Sequence, residues 1–277
     1  NMAIDVLAWM QHISDPLFIS GPTGCGKTTT IKQMAARFNW PVYEITGHAR
    51  LEMSDLVGHL TMRGGTMFYE YGPLALAMRD GGVFLFNELD LCDPSLLAMM
   101  NTVLDGAPLC IAENGGEIIK PHALFKFAAT ANSTGCGDTT GLYQGVLRQN
   151  IALMDRFMAL KATYLAPDKE RELVLAVVPE LGEDTAFKYT TFASTMRAAF
   201  IGDDEQYSGM VTAAMSTRTV LRWARLTVLR RPLAELGVYV TYSALEQAML
   251  NRCDASTVAV ARELYQRVFG VTPPEGV

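Results

Sequence analysis

The residues with the clearest chemical meaning form a glycine-rich segment, Gly21–Thr29 (GPTGCGKTT). The segment matches G-x-x-x-x-G-K-[ST], a pattern whose backbone N–H groups surround the phosphates of a nucleotide. A short apolar run, Leu17–Ser20, precedes it, and a helical pattern, Thr28–Phe38, follows it. This order of strand, loop and helix brings the positive end of a helix dipole to the anion. The sequence therefore predicts a triphosphate-binding loop.

Each part of this loop has an expected contact with the nucleotide. Lys27 would reach the phosphates as a point charge, and the Thr28 hydroxyl would bind Mg²⁺. The glycines let the backbone approach the anion closely. An ordinary glycine-rich turn is the alternative, which the flanking strand and helix disfavour. The predicted nucleotide-binding residues are Gly21, Pro22, Thr23, Gly24, Cys25, Gly26, Lys27, Thr28 and Thr29.

A second polar group follows the apolar run Val83–Phe86. In ATPases with a phosphate loop this strand usually ends in Asp-Glu, where the aspartate holds the Mg²⁺ shell and the glutamate orients the attacking water. Here the pair is Asn87-Glu88. Asn87 can accept a hydrogen bond from a metal-bound water but brings no charge to the cation. We therefore predict Glu88 as catalytic and Thr28 with Asn87 as the metal site, with turnover in question. A simple polar cap on a strand is the alternative.

Asn132 and Arg156 are further catalytic candidates. Asn132 follows the apolar run Phe125–Thr130, and its amide can both donate to the γ-phosphate and accept from the attacking water. Arg156 precedes the last predicted strand and is a candidate arginine finger, which stabilises transition-state charge at a neighbouring subunit's nucleotide. An ordinary surface salt bridge between Arg156 and Asp155 is the alternative.

A fourth catalytic candidate, Arg218, lies at the start of a predicted helix, Thr217–Arg230. From there it would reach the γ-phosphate and couple two domains to the nucleotide state. Arg222 and Arg225 share its helix face, so a solvated basic face is the alternative. We favour a role at the nucleotide for Arg218 and none for the other two.

Composition disfavours several other classes of protein. The chain has 277 residues, of which 49% are hydrophobic and 19% charged, as in globular proteins with a sizeable core. The net charge of −6 argues against nucleic acid or an anionic membrane as the partner. Five cysteines without C-x-x-C spacing, and four histidines without ligand spacing, indicate reduced thiols and no structural metal. No apolar stretch approaches the roughly 18 residues of a membrane helix, and no signal peptide is recognisable. We expect a cytoplasmic protein.

The predicted elements form an α/β domain followed by helices. Helical stretches separate most of the apolar runs, so we expect a mainly parallel sheet. Two segments, Gly58–Gly72 and Leu109–Lys120, are typical of β-hairpins, and Pro94–Leu104 predicts a helix capped by Asp93. The predicted domains are a core with two hairpin inserts (1–165) and a helical domain (166–277). The predicted strands are Leu17–Ser20, Val42–Ile45, Val83–Phe86, Phe125–Thr130 and Met158–Leu165, and the helices after Ala166 are Pro167–Val178, Thr190–Phe200, Thr217–Arg230 and Ser256–Phe269.

In this order the motifs resemble those of AAA+ ATPases of the MoxR group, and within it the CobS-like ATPases of the aerobic cobaltochelatase type. The stretch that carries the resemblance is Thr130–Phe157, which contains GDTTGLY (Gly137–Tyr143) and ends in Met-Asp-Arg-Phe. The resemblance covers most of residues 15–165 and, more loosely, the helical lid. Gly72-Pro73-Leu74 resembles a feature that follows the first hairpin in the group. The resemblance implies a P-loop AAA+ fold, with a parallel sheet, helices on both faces and a small helical lid.

The resemblance also implies a chaperone-like ATPase that uses ATP and Mg²⁺. Such proteins form rings, usually homo-hexamers, with nucleotide sites between subunits, and often work with a partner that bears a von Willebrand factor A domain. By position, the resemblance assigns the catalytic acid to Glu88, the first sensor to Asn132, the finger to Arg156 and the second sensor to Arg218.

Three hypotheses about function follow. The leading one is a MoxR/CobS-like ATPase that remodels a partner protein or drives metal insertion into it. The second is a nucleotide-gated binding module with little turnover because of Asn87, which phosphate release in wild type and in Glu88→Gln would distinguish. The third is a nucleic-acid motor, which the acidic composition disfavours.

Overall fold

The apolar runs of the sequence become the strands of a parallel sheet in the computed structural model, which describes residues 2–137, 145–202, 206–207, 209–236 and 239–273. Five strands make this sheet, and four more form two antiparallel pairs. The strands are β1 (Leu17–Ser20), β2 (Val42–Thr46), β3 (Gly58–Arg63), β4 (Thr66–Tyr71), β5 (Gly82–Asn87), β6 (Leu109–Ile111), β7 (Glu117–Ile119), β8 (Phe125–Ala131) and β9 (Met158–Lys161).

The strand order in the sheet is β2-β5-β8-β1-β9, and every neighbouring pair is parallel. All residues of β1 and β5 are buried, as their continuous apolar sequences require. The five strand predictions are confirmed, although β9 ends at Lys161 rather than at Leu165. The α/β fold class is confirmed as well. Parallel strands bring their carboxyl ends to one edge, which is where ligands bind in such sheets.

The helices alternate with the strands up to residue 162 and then follow one another. A helix predicted over Pro94–Leu104 is wrong as a single element, because Met99 and Met100 bond to carbonyls three residues back and interrupt the α-helical ladder. The helices are α1 (Met2–His12), α2 (Lys27–Arg37), α3 (Met53–Val57), α4 (Pro73–Asp80), α5 (Pro94–Ala98), α6 (Asn101–Leu104), α7 (Ile151–Met154), α8 (Pro167–Val177), α9 (Glu183–Ile201), α10 (Thr217–Arg230), α11 (Val240–Ala248) and α12 (Ala255–Phe269).

Contacts divide the chain into two units. The first consists of Asn1–Pro22 and Gly26–Ala162, and the second of Thr23–Cys25 and Thr163–Val277. Each unit has its own apolar core. Three residues of the phosphate loop therefore group with the helical part of the chain.

Aromatic rings fill much of the core of the first unit. Phe84 and Phe127, on neighbouring strands, have ring centroids 5.0 Å apart, and Phe157 contacts Phe127 at 5.9 Å. Such tilted pairs add to the stabilisation that burial alone provides. These ring contacts join β5, β8 and the residue that precedes β9 in the core of the first unit.

Two hairpins leave the first unit. β3 pairs with β4 across a turn at Gly64 and Gly65, and β6 pairs with β7 across a short helical turn and Gly115. Gly64, Gly65 and Gly115 have positive φ angles, which glycine adopts much more readily than residues with a side chain. Both hairpins lie within the segments where the sequence indicates them.

The second unit is built around Trp223 of α10. Its ring stacks on Tyr189 of α9 with centroids 3.6 Å apart. Helix α10 begins at a Ser216 cap, whose hydroxyl accepts a hydrogen bond from the Thr219 N–H. Among the helices of the described ranges, none is both long and apolar enough to cross a lipid bilayer.

Candidate functional site

The glycine-rich loop lies between the end of β1 and the start of α2, at the carboxyl edge of the sheet. Gly24 has a φ of +74°, and a Cβ atom built on it would lie 2.6 Å from the Cβ of Ser216. An L side chain rarely adopts such a backbone conformation and would also collide with Ser216. The Cβ of Arg218 lies 3.6 Å from the same point. Arg218 is therefore next to Gly24, within the second unit.

Lys27 is held against the loop by oxygen atoms. Its Nζ donates to the carbonyls of Gly21 (2.6 Å) and Pro22 (3.1 Å) and to Oδ1 of Asn132 (3.1 Å). Only 9% of Lys27 is exposed. The structure thus brings Lys27 and Asn132 together across 105 residues of sequence. A positive charge fixed in this position at a helix N-terminus suits a phosphate group.

Thr28 and Asn87, the two residues predicted for the metal site, are hydrogen-bonded to each other. The Thr28 hydroxyl donates to Oδ1 of Asn87 at 2.7 Å, and Thr130 on β8 donates to the same oxygen at 3.1 Å. On the other side of the amide, Nδ2 of Asn87 donates to Oε1 of Glu44 on β2 at 2.7 Å. The sequence analysis missed Thr130 and Glu44, because only the strand order makes β2 and β8 the neighbours of β5.

The oxygen set at this point fits a hard divalent cation. A hydroxyl and an amide oxygen are groups that Mg²⁺ accepts, and Mg²⁺ usually keeps several waters as well. No group of three or more His, Cys, Asp or Glu side chains that could hold a metal ion occurs in the part of the chain that the structure describes. Any cation here would therefore depend on the nucleotide phosphates for most of its ligands.

Glu88 follows Asn87 in a backbone conformation that few non-glycine residues adopt. Its φ and ψ are 53° and 43°, in the left-handed region, which costs roughly 1–2 kcal/mol. The turn is kept in place by a close neighbour, Gly47, where a Cβ would lie 2.4 Å from the Glu88 carbonyl oxygen. The side chain of Glu88 is exposed at the edge of the sheet. Local strain of this kind is common where a side chain must be aimed at a ligand.

Asp90 is a buried carboxylate that the sequence analysis did not identify. Its Oδ2 accepts hydrogen bonds from the N–H groups of Asn132 (3.1 Å) and Ser133 (2.9 Å) and from the Ser133 hydroxyl (2.9 Å). These charge-assisted bonds hold the segment after β8 against the turn after β5. Asp90 thereby fixes the backbone from which the Asn132 side chain reaches Lys27. An acidic residue two positions after Glu88 was the only signal in the sequence.

Arg156 forms an ion pair, but not with the residue that the sequence suggested. Its Nε and Nη2 donate to the two carboxylate oxygens of Asp105 at 2.7 and 3.0 Å. The alternative ion pair with Asp155 is therefore wrong in its partner. Asp105 lies 51 residues away along the chain, so the residues next to Arg156 give no sign of it. Hydrogen bonds from Arg156 hold the pKa of the Asp105 carboxyl below its usual range.

The start of α10 is anchored by a buried ion pair. Arg197 donates to both oxygens of Glu170, at 2.9 and 2.7 Å, and the Thr217 hydroxyl donates to Glu170 at 2.6 Å. Nε of Arg197 donates to the Met215 carbonyl at 2.7 Å. Residues on both sides of Ser216 are thus fixed, and Arg218 follows directly. Arg218 is exposed, as are Arg222 and Arg225 on the same face.

The subgroup motif GDTTGLY is described only at Gly137, because residues 138–144 lie outside the described ranges. On either side of it, Cys136 pairs with Arg148 as an isolated bridge, and the Leu147 N–H donates to the Asp90 carbonyl at 2.8 Å. The flanks of the motif are therefore tied to the turn that follows Glu88.

Comparison with known proteins identifies relatives over most of the chain. A family model for the AAA domain (dynein-related subfamily) matches residues 16–157. The chain is 34% identical to the aerobic cobaltochelatase subunit CobS of a Sinorhizobium species, over 96% of this chain and 78% of that protein. It is 28% identical to the protein NorQ of Paracoccus denitrificans, over 92% and 87% respectively. Among solved structures, the RuvB Holliday junction branch migration motor of Thermotoga maritima is similar with a TM-score of 0.53. That match covers 89% of this chain and 67% of RuvB at 13% identity, which shows a shared fold alone.

Proposed function

The chain belongs to the dynein-related subfamily of AAA domains, as an AAA+ ATPase of the MoxR group related to CobS and NorQ, and on this premise we propose that it is a Mg²⁺-dependent, ring-forming ATPase that remodels a partner protein. The observation that carries the proposal is the convergence of Lys27 with Asn132 and of Thr28 with Asn87 at one edge of the sheet. A glycine-rich turn with no ligand would need neither pair.

The proposed binding step uses the loop and the start of α2. The backbone N–H groups of Gly21–Thr29 and the ammonium of Lys27 hold the β- and γ-phosphates of ATP. Thr28 would contact Mg²⁺ directly, and Oδ1 of Asn87 would hold one of its waters. Bound Mg²⁺ supplies positive charge that neutralises the phosphate oxygens as the γ-phosphoryl group leaves.

The proposed hydrolytic step depends on three further side chains of this subunit. The Glu88 carboxylate orients the attacking water and accepts its proton. The Asn132 amide holds the same water or the γ-phosphate. Arg218, beside Gly24, contacts the γ-phosphate and reports hydrolysis to the second unit. The exposed position of Glu88 and the contact of Asn132 with Lys27 support these assignments.

Arg156 would act on the nucleotide of a neighbouring subunit in a homo-hexamer. Such a finger requires the residue to leave Asp105, which is an exposed partner and therefore holds it weakly. The contribution of an arginine finger to the rate is about 10³–10⁵-fold. An assembly with this residue at each interface would make the activity depend on protein concentration.

The proposed partner is a protein with a von Willebrand factor A domain, and the proposed location is the cytoplasm. The name of CobS describes a subunit of an aerobic cobaltochelatase. By analogy this chain would supply the ATP-driven step for insertion of a metal, or for another remodelling reaction, with the metal ion as a substrate held by other subunits. A binding module with little turnover is a second candidate, which the neutral Asn87 favours.

The test is the steady-state rate of phosphate release with ATP and Mg²⁺ at increasing protein concentrations. We expect specific activity to rise cooperatively, and to be lost in Glu88→Gln and Arg156→Ala. Arg79→Ala is a matched control, because Arg79 forms a similar exposed pair with Asp80 and has no assigned role. ATP binding without turnover at every concentration would support the second candidate. Activity independent of both concentration and Arg156 would refute the ring.

A further inference from the structure

The two ends of the Asn87 amide have different kinds of neighbours. Hydroxyl groups of Thr28 and Thr130 lie at Oδ1, and the carboxylate of Glu44 lies at Nδ2. A hydroxyl can donate or accept, whereas an ionised carboxylate can only accept. Glu44 is therefore the neighbour that dictates the direction of the amide. With Nδ2 bound to Glu44, Oδ1 must point to Thr28.

Glu44 is itself fixed from the phosphate-loop helix. Its other oxygen forms an ion pair with Lys32, one helical turn after Thr28 on α2. The side chains of Lys32 and Glu44 are 43% and 36% exposed, so water screens this pair. Asn87 is only 7% exposed, and its hydrogen bond to Glu44 is partly buried. The Glu44 carboxylate therefore has two partners, a solvent-screened ammonium and a nearly buried amide.

A carboxylate that binds an amide N–H also polarises the amide. Hydrogen bonds in a chain strengthen one another, so the bond at Nδ2 raises the negative charge on Oδ1. The amide oxygen next to Thr28 thereby gains part of the charge that an aspartate would bring directly. Oriented outer partners of this kind tune metal sites in many proteins.

We propose that Glu44 is the positioning residue of the cation site: it turns Oδ1 of Asn87 toward Thr28 and supplies, from the neighbouring strand, the negative charge that residue 87 lacks. This inference rests on the proposed Mg²⁺-dependent nucleotide site. It explains how a chain with asparagine in this position would still retain a divalent cation with its nucleotide. Glu44 acts through Asn87 and has no contact of its own with the reacting atoms in this scheme.

The experiment exchanges the two functional groups between positions 44 and 87. Glu44→Gln removes the negative charge and allows the Asn87 amide to flip, which exchanges the positions of Oδ1 and Nδ2. Asn87→Asp places two carboxylates at hydrogen-bonding distance. The double variant, Glu44→Gln with Asn87→Asp, restores one carboxylate and one amide with the direction of their hydrogen bond reversed. Glu70→Gln, an exposed change of the same charge on β4, is the matched control.

The readout is the affinity of Mn²⁺ for the full chain with ADP, measured by electron paramagnetic resonance, together with ADP affinity in EDTA. We expect Glu44→Gln to weaken Mn²⁺ binding by about tenfold, as changes of outer partners do. The double variant should recover the wild-type value to within about threefold, and Glu70→Gln should have no effect. ADP affinity in EDTA should be the same in all variants.

Three results would overturn the inference. One is an unchanged Mn²⁺ affinity in Glu44→Gln, and another is a double variant that binds Mn²⁺ as weakly as Glu44→Gln. A loss of cation-free ADP binding in Glu44→Gln would show that the residue acts on the loop fold instead. Wild-type protein that binds no ADP would refute the proposed function itself, which distinguishes that failure from a failure of Glu44 alone.

Discussion

Loss of Arg197 should unfold the second unit at much lower denaturant concentrations than wild type. The side chains of Arg197 and Glu170 are 8% and 0% exposed, and they form a bidentate pair. Arg197→Met removes both hydrogen bonds from Arg197 to Glu170. Of the three donors described above, the Thr217 hydroxyl then remains on the buried Glu170 carboxylate. Removing one member of a buried pair costs about 3–5 kcal/mol, because the remaining charge is uncompensated.

A double variant separates the uncompensated charge from the lost packing. Glu170→Met with Arg197→Met removes both charges and leaves the Thr217 hydroxyl and the Met215 carbonyl without their present partners. It also removes the contact of the Arg197 guanidinium with the Tyr164 ring. Such neutral groups cost about 1–3 kcal/mol. We therefore expect the double variant to be more stable than Arg197→Met by roughly 2 kcal/mol.

The assay is urea unfolding followed by the fluorescence of Trp223, in a background where Trp9 and Trp40 are phenylalanine. Trp223 is fully buried in the core of the second unit. With a denaturant slope of about 2 kcal/mol per molar urea, a loss of 4 kcal/mol lowers the midpoint by about 2 M. Lys169→Met, which removes the exposed pair of Lys169 and Glu172 on the same helix as Glu170, should cost less than about 1 kcal/mol.

The reasoning would be refuted if Arg197→Met lowered the midpoint no more than Lys169→Met does. It would also be refuted if the double variant were the less stable of the two. Because Thr217 precedes Arg218, we further expect Arg197→Met to weaken ATP binding at urea concentrations where the unit is still folded. Unchanged ATP affinity would mean that the anchor stabilises the unit without positioning Arg218.

Three other variants test individual contacts. Gly24→Ala should weaken ATP binding by at least about tenfold, since the left-handed backbone costs roughly 1–2 kcal/mol and the new Cβ meets Ser216; a normal affinity by titration calorimetry would contradict this geometry. Asp90→Asn should lower the free energy of unfolding by about 1–3 kcal/mol, because its three donors lose their charged acceptor, and chemical denaturation measures it. Asp105→Asn should free Arg156 and lower, by less than about fivefold, the protein concentration that gives half-maximal ATPase activity; a rise in that concentration would mean that Asp105 positions the finger instead.

Local sequence patterns were sufficient where neighbouring residues decide the structure. The loop from Gly21 to Thr29 and the helix that follows depend on backbone rules within a dozen residues. The strands of the sheet were predicted because each is short, apolar and bounded by polar residues. The helix over Pro94–Leu104 was predicted as one element and is two. At Met99 and Met100 the backbone N–H groups bond to carbonyls three residues back instead of four, and no residue in this segment signals that change.

The candidate site shows the same division. The types of its residues, and their order along the chain, followed from the sequence by itself, and their catalytic roles stay predictions. The partner of each side chain was decided only by tertiary structure: Asn132 for Lys27, Glu44 for Asn87 and Asp105 for Arg156. These pairs are 105, 43 and 51 residues apart. Hydrophobic periodicity determines which segments are strands, but not their order in the sheet, and that order determines which polar groups meet at its edge.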